Sequence, residues 1–260
     1  MWNKELKLAI KAAKEAGEAI LKVYNSPNTL KIDLKADKSP LTEADRTSNN
    51  VILPQLKEVF PNYAILDEEE KDDFSRLNND YCFVIDPLDG TKEFIKRNGQ
   101  FTVNIALAYK HEVVMGVIYV PVTRELYYAA KGEGAFLKSA DGNIKKLHVT
   151  DNKDILSLKV VMSNSHNCAQ MDELLQKYNL TNFVRVGSSL KGCMVASGEA
   201  DIYYRFNPTS EWDTAAMQCI VEEAGGIFNQ MDNSPMRYNR ENCRNDKGFY
   251  AVNCKENIFV

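Results

Sequence analysis

The chain has 260 residues, 44% of them apolar and 26% charged, with a formal net charge of −4. That length supports one large domain or two closely packed smaller ones, and the composition excludes a disordered chain. No run of five or more like charges occurs, which argues against a nucleic-acid polymer as partner and leaves small anionic ligands open through a local basic pocket.

The N-terminus has no apolar stretch resembling a signal peptide, and residues 4–24 instead carry one apolar stripe at Leu6, Ile10, Ala13, Gly17, Ile20 and Tyr24. A second helix is expected near Thr42, with Asp45 closing a Thr-x-x-Asp capping box and Pro54 kinking the helix or ending it early. Short runs of β-formers follow at Tyr63–Leu66, Tyr81–Ile85, Phe101–Tyr109, Val113–Val120 and Glu125–Ala130, the stretch 101–130 reading as an antiparallel meander. Asp141-Gly142 is a hairpin-turn signal. The longest apolar run, Val113 to Val120, is broken by Gly116, stopped by Pro121 and far too short to cross a bilayer.

After about residue 152 the pattern alternates. Strands are expected at Lys159–Met162, Phe183–Val186 and Asp201–Phe206, and helices at Met171–Tyr178, Leu190–Ser197 and Trp212–Ala224, the last ended by Gly225-Gly226. The expected fold is therefore an α+β first part, residues 1–152, followed by an α/β second part, residues 153–260, in a layered sandwich. Six scattered cysteines (82, 168, 193, 219, 243 and 254) form no C-x-x-C pair or Cys/His cluster, which fits thiols in a reducing cytoplasm. Loose attachment to the inner face of the membrane stays open, as does the choice between monomer and homodimer.

The most informative segment is Phe83-Val84-Ile85-Asp86-Pro87-Leu88-Asp89-Gly90-Thr91. An apolar strand delivers two carboxylates, and Pro87 and Gly90 are expected to force a sharp turn that aims both, with the Leu88 carbonyl, at one point. Magnesium needs hard oxygen ligands packed this closely, although an ordinary acidic turn would look the same. Gly90 and Thr91 would offer backbone N–H groups to a phosphate if a short helix begins at Lys92. The spacing is neither the D-x-D of phosphatases with an aspartyl nucleophile nor an EF-hand ladder. Asp67-Glu68-Glu69-Glu70 follows another strand and could meet the same sheet edge, or be a solvated loop. Asp213 falls in the first turn of a helix, where compensation of the helix dipole would also place an acid.

Ile85-Asp86-Pro87-Leu88-Asp89-Gly90-Thr91, Leu66-x-Glu68-Glu69 and Trp212-Asp213-x-Ala215-Ala216 together resemble, in order and separation, the three motifs of the inositol monophosphatase superfamily. Asp37-x-Ser39-Pro40-x-Thr42-x-Ala44-Asp45 is similar to its N-terminal motif, and the likeness spans roughly residues 5 to 252. The stretches Gly90–Gly99 and Phe101–Leu107 look like the CysQ type within it, the 3′(2′),5′-bisphosphate nucleotidases acting on 3′-phosphoadenosine 5′-phosphate. The resemblance implies alternating helix and sheet layers. It implies two or three magnesium ions on Glu68, Asp86, the Leu88 carbonyl, Asp89 and Asp213. Asp45 and Thr91 match the pair thought to orient and deprotonate the attacking water.

Two metals about 3.5–4 Å apart can supply a nucleophilic water, charge neutralisation and help for the leaving alkoxide. No nucleophile elbow is present, and the histidines at 111, 148 and 166 form no metal-spaced pair. Lys191 and Arg205 match positions contacting nucleotide phosphate in related enzymes, where inositol phosphatases tend to have an apolar residue and a carboxylate. Substrate contacts are thus expected at Glu68, Leu88, Asp89, Gly90, Thr91, His166, Ser188, Lys191, Arg205 and Asp213. Two positions depart from the family pattern: Asp67, where relatives often have Ser or Gly, and Met217, where they often have Gly. The alternative readings are a phosphatase for inositol or another sugar phosphate, and a non-catalytic nucleotide-binding regulator.

Overall fold

Helix α1 (Asn3–Tyr24) buries Ala9, Ala12, Ala13, Ala16, Gly17 and Ile20 as one continuous face. The computed structural model describes residues 2–26, 32–34, 40–165 and 168–260, so Asp37 and Ser39 of the N-terminal motif lie outside the described residues. Strands β1 (Ile32–Leu34) and β2 (Pro40–Thr42) pair antiparallel just before α2 (Glu43–Val59). The expected capping box closes both ways: the Ala44 N–H donates to Thr42 Oγ at 3.1 Å, and the Thr42 N–H donates to Asp45 Oδ2 at 2.7 Å. Pro54 does not end the helix early, for α2 runs on to Val59. Burial of Ile52, Leu53 and Leu56 around the proline offsets the one backbone donor it removes.

The larger sheet contains β3 (Ala64–Asp67), β4 (Tyr81–Asp89), β5 (Thr102–Tyr109), β6 (Glu112–Val120), β7 (Glu125–Ala130), β8 (Gly134–Lys138) and β9 (Ile144–Lys146), in that spatial order. Only β3 and β4 run parallel. The meander expected over 101–130 is present and continues through β8 and β9 around the Asp141-Gly142 turn. One expectation fails locally: β4 does not stop before Pro87 but carries on to Asp89. Asp86 pairs with Asn104 and Asp89 with Thr102, with a register shift between them. A proline cannot donate to a ladder, and a bulge is where a strand tolerates one. Ser48 on α2 donates to the Pro87 carbonyl at 2.6 Å and pins the bulge. The short helix α3 (Thr91–Ile95) begins one residue before the expected Lys92.

The second sheet has the order β11 (Phe183–Val186), β10 (Val160–Ser163), β12 (Ile202–Arg205), β16 (Phe249–Val252), β14 (Ile227–Gln230). Both neighbours of β10 run parallel to it, and β16 runs antiparallel to β12 and β14. Helices α4 (Ala169–Lys177), α5 (Leu190–Ala196) and α6 (Glu211–Glu223) connect these strands, and the small pair β13 (Thr209–Ser210) and β15 (Arg244–Asn245) flanks the start of α6.

Alternation along the strands sorts the side chains into three cores. Phe83, Ile85, Val103 and Ile105 face α1 and α2, whereas Cys82, Val84 and Ala106 face the opposite way and join Val161, Tyr203, Ala216 and Ala251. Val160, Met162, Ile202, Tyr204 and Tyr250 close a third core with Met171 and Leu174 of α4. The layers therefore alternate: α1 and α2, large sheet, α5 and α6, small sheet, α4. This is the expected α+β layered sandwich. No described helix is long and apolar enough to cross a membrane.

Helix α6 lies unusually near the large sheet because β6 offers it a glycine. A Cβ on Gly116 would sit 2.5 Å from the Ala216 carbonyl oxygen and 2.9 Å from its Cα, so a side chain there must push α6 away. Gly116→Val is therefore expected to cost about 1–3 kcal/mol or more of stability and to lower Tm by about 2–4 °C per kcal/mol. Thermal and urea unfolding measure this; a variant as stable as the parent would contradict the close approach.

Candidate active site

The acids arrive from different elements. Asp86 and Asp89 stand on either side of the β4 bulge, and Asp213 occupies the first turn of α6. Ligand oxygens of these three lie within 4.8 Å of one another. Parallel pairing of β3 with β4 carries the chain past Asp67, opposite Ile85, so Glu68 emerges beside Asp86. The Glu68 N–H donates to the Ile85 carbonyl at 3.2 Å, and its carboxyl makes a hydrogen-bonding contact with that of Asp86.

Two of the predicted residues turn out to be both caps and site residues. Asp45 Oδ2 accepts the Thr42 N–H and its hydroxyl, the latter at 2.6 Å, while Oδ1 accepts from Thr91 Oγ at 3.1 Å. Asp213 Oδ2 accepts the Ser210 N–H at 2.6 Å in a second capping box. In each, one oxygen serves the helix; the other oxygen of Asp45 meets Thr91, and Asp213 lines the same cavity as the other acids. The Ser-x-x-Asp signature of that second box is legible in Ser210-Glu211-Trp212-Asp213.

A cavity of about 340 Å³ is lined by Glu68, Asp86, Leu88, Asp89, Gly90, Thr91, Ser188, Lys191, Arg205 and Asp213, all named from sequence. Asp45 stands behind Thr91, and His166 lies outside the described residues. Ser188 precedes α5, which starts at Leu190, and its hydroxyl is engaged with Asp89 Oδ2 at 2.8 Å and with Thr102 Oγ at 2.6 Å. Lys191 is buried, donates from Nζ to the Ser188 carbonyl at 2.5 Å, and lies 5.5 Å from the Tyr203 ring centroid. Burial holds its pKa down at about 8, with neighbouring Arg205 acting the same way and Asp89 opposing. Arg205 Nε is buried without a hydrogen-bond partner. Sequence reasoning set Ser189 only within the Gly187–Lys191 segment expected to choose the substrate, and gave it, Asn104 and Thr102 no part around Asp89, because they carry no spacing signal.

Enclosure of so many carboxylates perturbs two of them in one direction. Burial, then Glu68, Asp89 and Asp213, raise the Asp86 pKa well above the usual range. Burial, then Asp89 and Glu68, raise that of Asp213 to about 7. The donor set (four carboxylates and a backbone carbonyl, with no thiol or imidazole) suits a hard divalent cation, and such a cation would relieve this repulsion.

The inositol monophosphatase family model matches residues 1–255. The chain belongs to the inositol monophosphatase family. Within it, the chain is 41% identical over 227 residues to the 3′(2′),5′-bisphosphate nucleotidase CysQ of Salmonella typhimurium, covering 87% of this chain and 90% of that protein. It is 37% identical to the protein of the same name from Buchnera aphidicola, over 96% of this chain and 94% of that one. Among solved structures, CysQ from Bacteroides thetaiotaomicron superposes with a TM-score of 0.84 at 40% identity, covering 97% and 98% of the two chains.

Both departures from the family pattern have structural counterparts. Asp67 is buried, accepts the Glu69 N–H at 2.8 Å through Oδ1, and leaves Oδ2 unpartnered. Burial, then Glu69, Glu70 and Glu68, raise its pKa to about 7. Met217 on α6 fills the space beside Gly192 on α5, where a Cβ would fall 2.0 Å from the methionine Cγ.

Asp67 and Asp213 thus hold protons in the folded chain at pH values where the unfolded chain, with carboxyl pKa near 3.8, has lost them. The folded state binds more protons between about pH 4 and 7, so stability without metal falls as pH rises through that window. Urea unfolding in EDTA should give a lower midpoint at pH 8 than at pH 5, and saturating Mg2+ should remove most of the difference. A metal-free chain more stable at pH 8 would refute the arrangement.

Proposed function

We propose that the chain hydrolyses the 3′-phosphate of 3′-phosphoadenosine 5′-phosphate to AMP and inorganic phosphate, in a magnesium-dependent reaction. Most metal ligation falls to residues 1–152, and substrate choice to residues 153–260. Glu68, Asp86, the Leu88 carbonyl, Asp89 and Asp213 would hold two or three Mg2+ ions. When bound, the metal supplies an activated water and neutralises charge on the phosphoryl oxygens.

The chain's own groups complete this reading. Thr42 fixes Asp45 through Oδ2, which leaves Oδ1 to take the Thr91 hydroxyl proton. Thr91 Oγ can then accept a hydrogen bond from the attacking water, orient it, and pass its proton towards Asp45. Gly90, Thr91 and Lys92 line the cavity at the start of α3, where backbone N–H groups would suit a phosphoryl oxygen.

One observation carries the choice of substrate: Lys191 and Arg205 line the same cavity as the acids, with Arg205 Nε unpartnered. A spectator phosphate would supply the missing acceptor, and charge-assisted bonds from both cations would hold it. The named relatives support this reading, since their names specify a nucleotide with two phosphates.

Thr91→Ala should lower kcat by about 10²–10⁴, the range for lost general-base assistance, with KM little changed. A normal kcat with raised KM would make Thr91 a binding residue instead.

Lys191→Ala and Arg205→Glu test substrate class. Each lost charge-assisted contact should reduce kcat/KM on the bisphosphate nucleotide by about 10- to 150-fold, mostly through KM. Arg205→Glu should be harsher, because it adds repulsion to the lost contact. Inositol monophosphate, measured in parallel, should be hydrolysed about as well by the variants as by the parent. Equal losses on both substrates would assign the cations to folding or to the cleaved phosphate, and no loss on either would move the nucleotide pocket elsewhere.

A further inference from the structure

The Asp89 carboxylate is held largely by residues from the other end of the chain. Its Oδ2 accepts Ser189 Oγ at 2.6 Å, Ser188 Oγ at 2.8 Å and Asn104 Nδ2 at 3.3 Å. Asn104 Nδ2 also donates to Ser189 Oγ at 2.9 Å. Thr102 Oγ lies 2.8 Å from Asn104 Oδ1 and 2.6 Å from Ser188 Oγ. Thr102, Asn104 and Ser189 are each at most 1% exposed, so water does not substitute for these contacts.

Counting protons orders the network. Three hydroxyls bring one proton each and the Asn104 amide brings two, so five protons serve seven contacts, the longest being Ser189 Oγ to the Asp213 carbonyl at 3.4 Å. Both serine protons go to Oδ2, and the amide protons go to Oδ2 and Ser189. The Thr102 proton is then shared between Asn104 Oδ1 and Ser188 Oγ, and the donor chain ends there. A carboxylate oxygen has about two lone-pair directions, and Oδ2 already meets three donors. Oδ1 takes none of them.

We propose that Ser189, Asn104 and Thr102 are positioning residues that make Asp89 a one-oxygen metal ligand, locking Oδ2 so that Oδ1 alone is offered to the cation. This rests on the reading of Asp89 as a ligand. Thr102, two contacts removed from that carboxylate, acts by keeping the Asn104 amide turned with its N–H2 towards Asp89. Loss of the anchor leaves the carboxylate free to rotate among orientations, most of which do not ligate.

The test uses Mn2+ alone, titrated into the full chain without substrate and followed by electron paramagnetic resonance. Ser189→Ala and Thr102→Val should each bind Mn2+ about 10- to 100-fold more weakly, the usual cost of losing a partner that orients a ligand. Thr102→Ser, which keeps the hydroxyl, should bind close to the parent, whereas Thr102→Val keeps the shape and loses the proton. Tm is measured on each: a merely structural role would lower Tm in all variants without moving Mn2+ affinity, and would overturn the inference. Should Ser189→Ala fail to fold, the valine and serine variants at 102 decide the matter. Asp89→Asn separates the two levels of argument. If it binds Mn2+ as the parent does, the ligand assignment itself fails; if it loses Mn2+ while Ser189→Ala and Thr102→Val do not, only the positioning role fails.

Discussion

Like charges held within a few ångströms in a poorly solvated cleft are the constraint around which this protein is organised. Asp86, Asp89 and Asp213 would repel one another strongly there, and burial adds to the cost of ionising Asp86 and Asp213. The fold meets this with a recurring device. Each acid gives one oxygen to neutral donors of the chain: Asp86 to the Leu88 N–H at 3.0 Å, Asp213 to the Ser210 N–H, Asp89 to two serines and an asparagine. Asp45, behind the cluster, does the same with Thr42. The anchored oxygens fix orientation, and ligand oxygens of Asp86, Asp89 and Asp213 lie within 4.8 Å of one another.

That division of labour explains why the site needs so many elements. A bulge in β4 is required because a regular strand would put Asp86 and Asp89, three residues apart, on opposite faces. The proline that disturbs the ladder creates the bulge that turns both acids the same way. Parallel pairing of β3 with β4 brings Glu68 alongside without a turn. Helix α6, sandwiched between the two sheets, contributes Asp213 from its first turn and so ties the position of that acid to packing on both of its faces. The serines before α5 reach across to Asp89, and the site becomes a place where distant parts of the chain meet.

Much of this was legible in the residues, and what was hidden shares a physical character. Each acidic motif taken alone could be a turn, a solvated loop or an acid compensating a helix dipole, and it is their order and separation together, through the resemblance to the family, that singles out the acids and Thr91. Most strands and helices of the layered fold follow from their apolar periods. Strand β16 escaped notice because Phe249–Val252 is buried on both faces and shows no alternation. Pro87 misled because a proline reads as a turn until pairing on its far side is known. Ser189, Asn104 and Thr102 could not be found by spacing at all: Ser189 meets Asp89 across a hundred residues, Asn104 reaches it from the neighbouring strand, Thr102 acts through Asn104 and Ser188, and small polar side chains leave no period to read. Asp45 and Asp213 invited a choice between cap and site residue, and the structure gives both a capping bond while Asp45 also meets Thr91 and Asp213 lines the cavity.

The contact between Gly192 and Met217 has a historical consequence. Bulk on one helix occupies space that the other has given up, so the two positions are not independent. A side chain can appear at 192 only in a lineage where residue 217 has already become small, and the methionine at 217 can arise only where 192 is bare. Mutational paths between the two states are therefore directional: one order passes through a cavity, the other through a collision. Because α6 also carries Asp213 and Met217 itself lines the cavity, the collision would be felt at the acids, and the drift of two chemically inert positions is constrained by the site beside them.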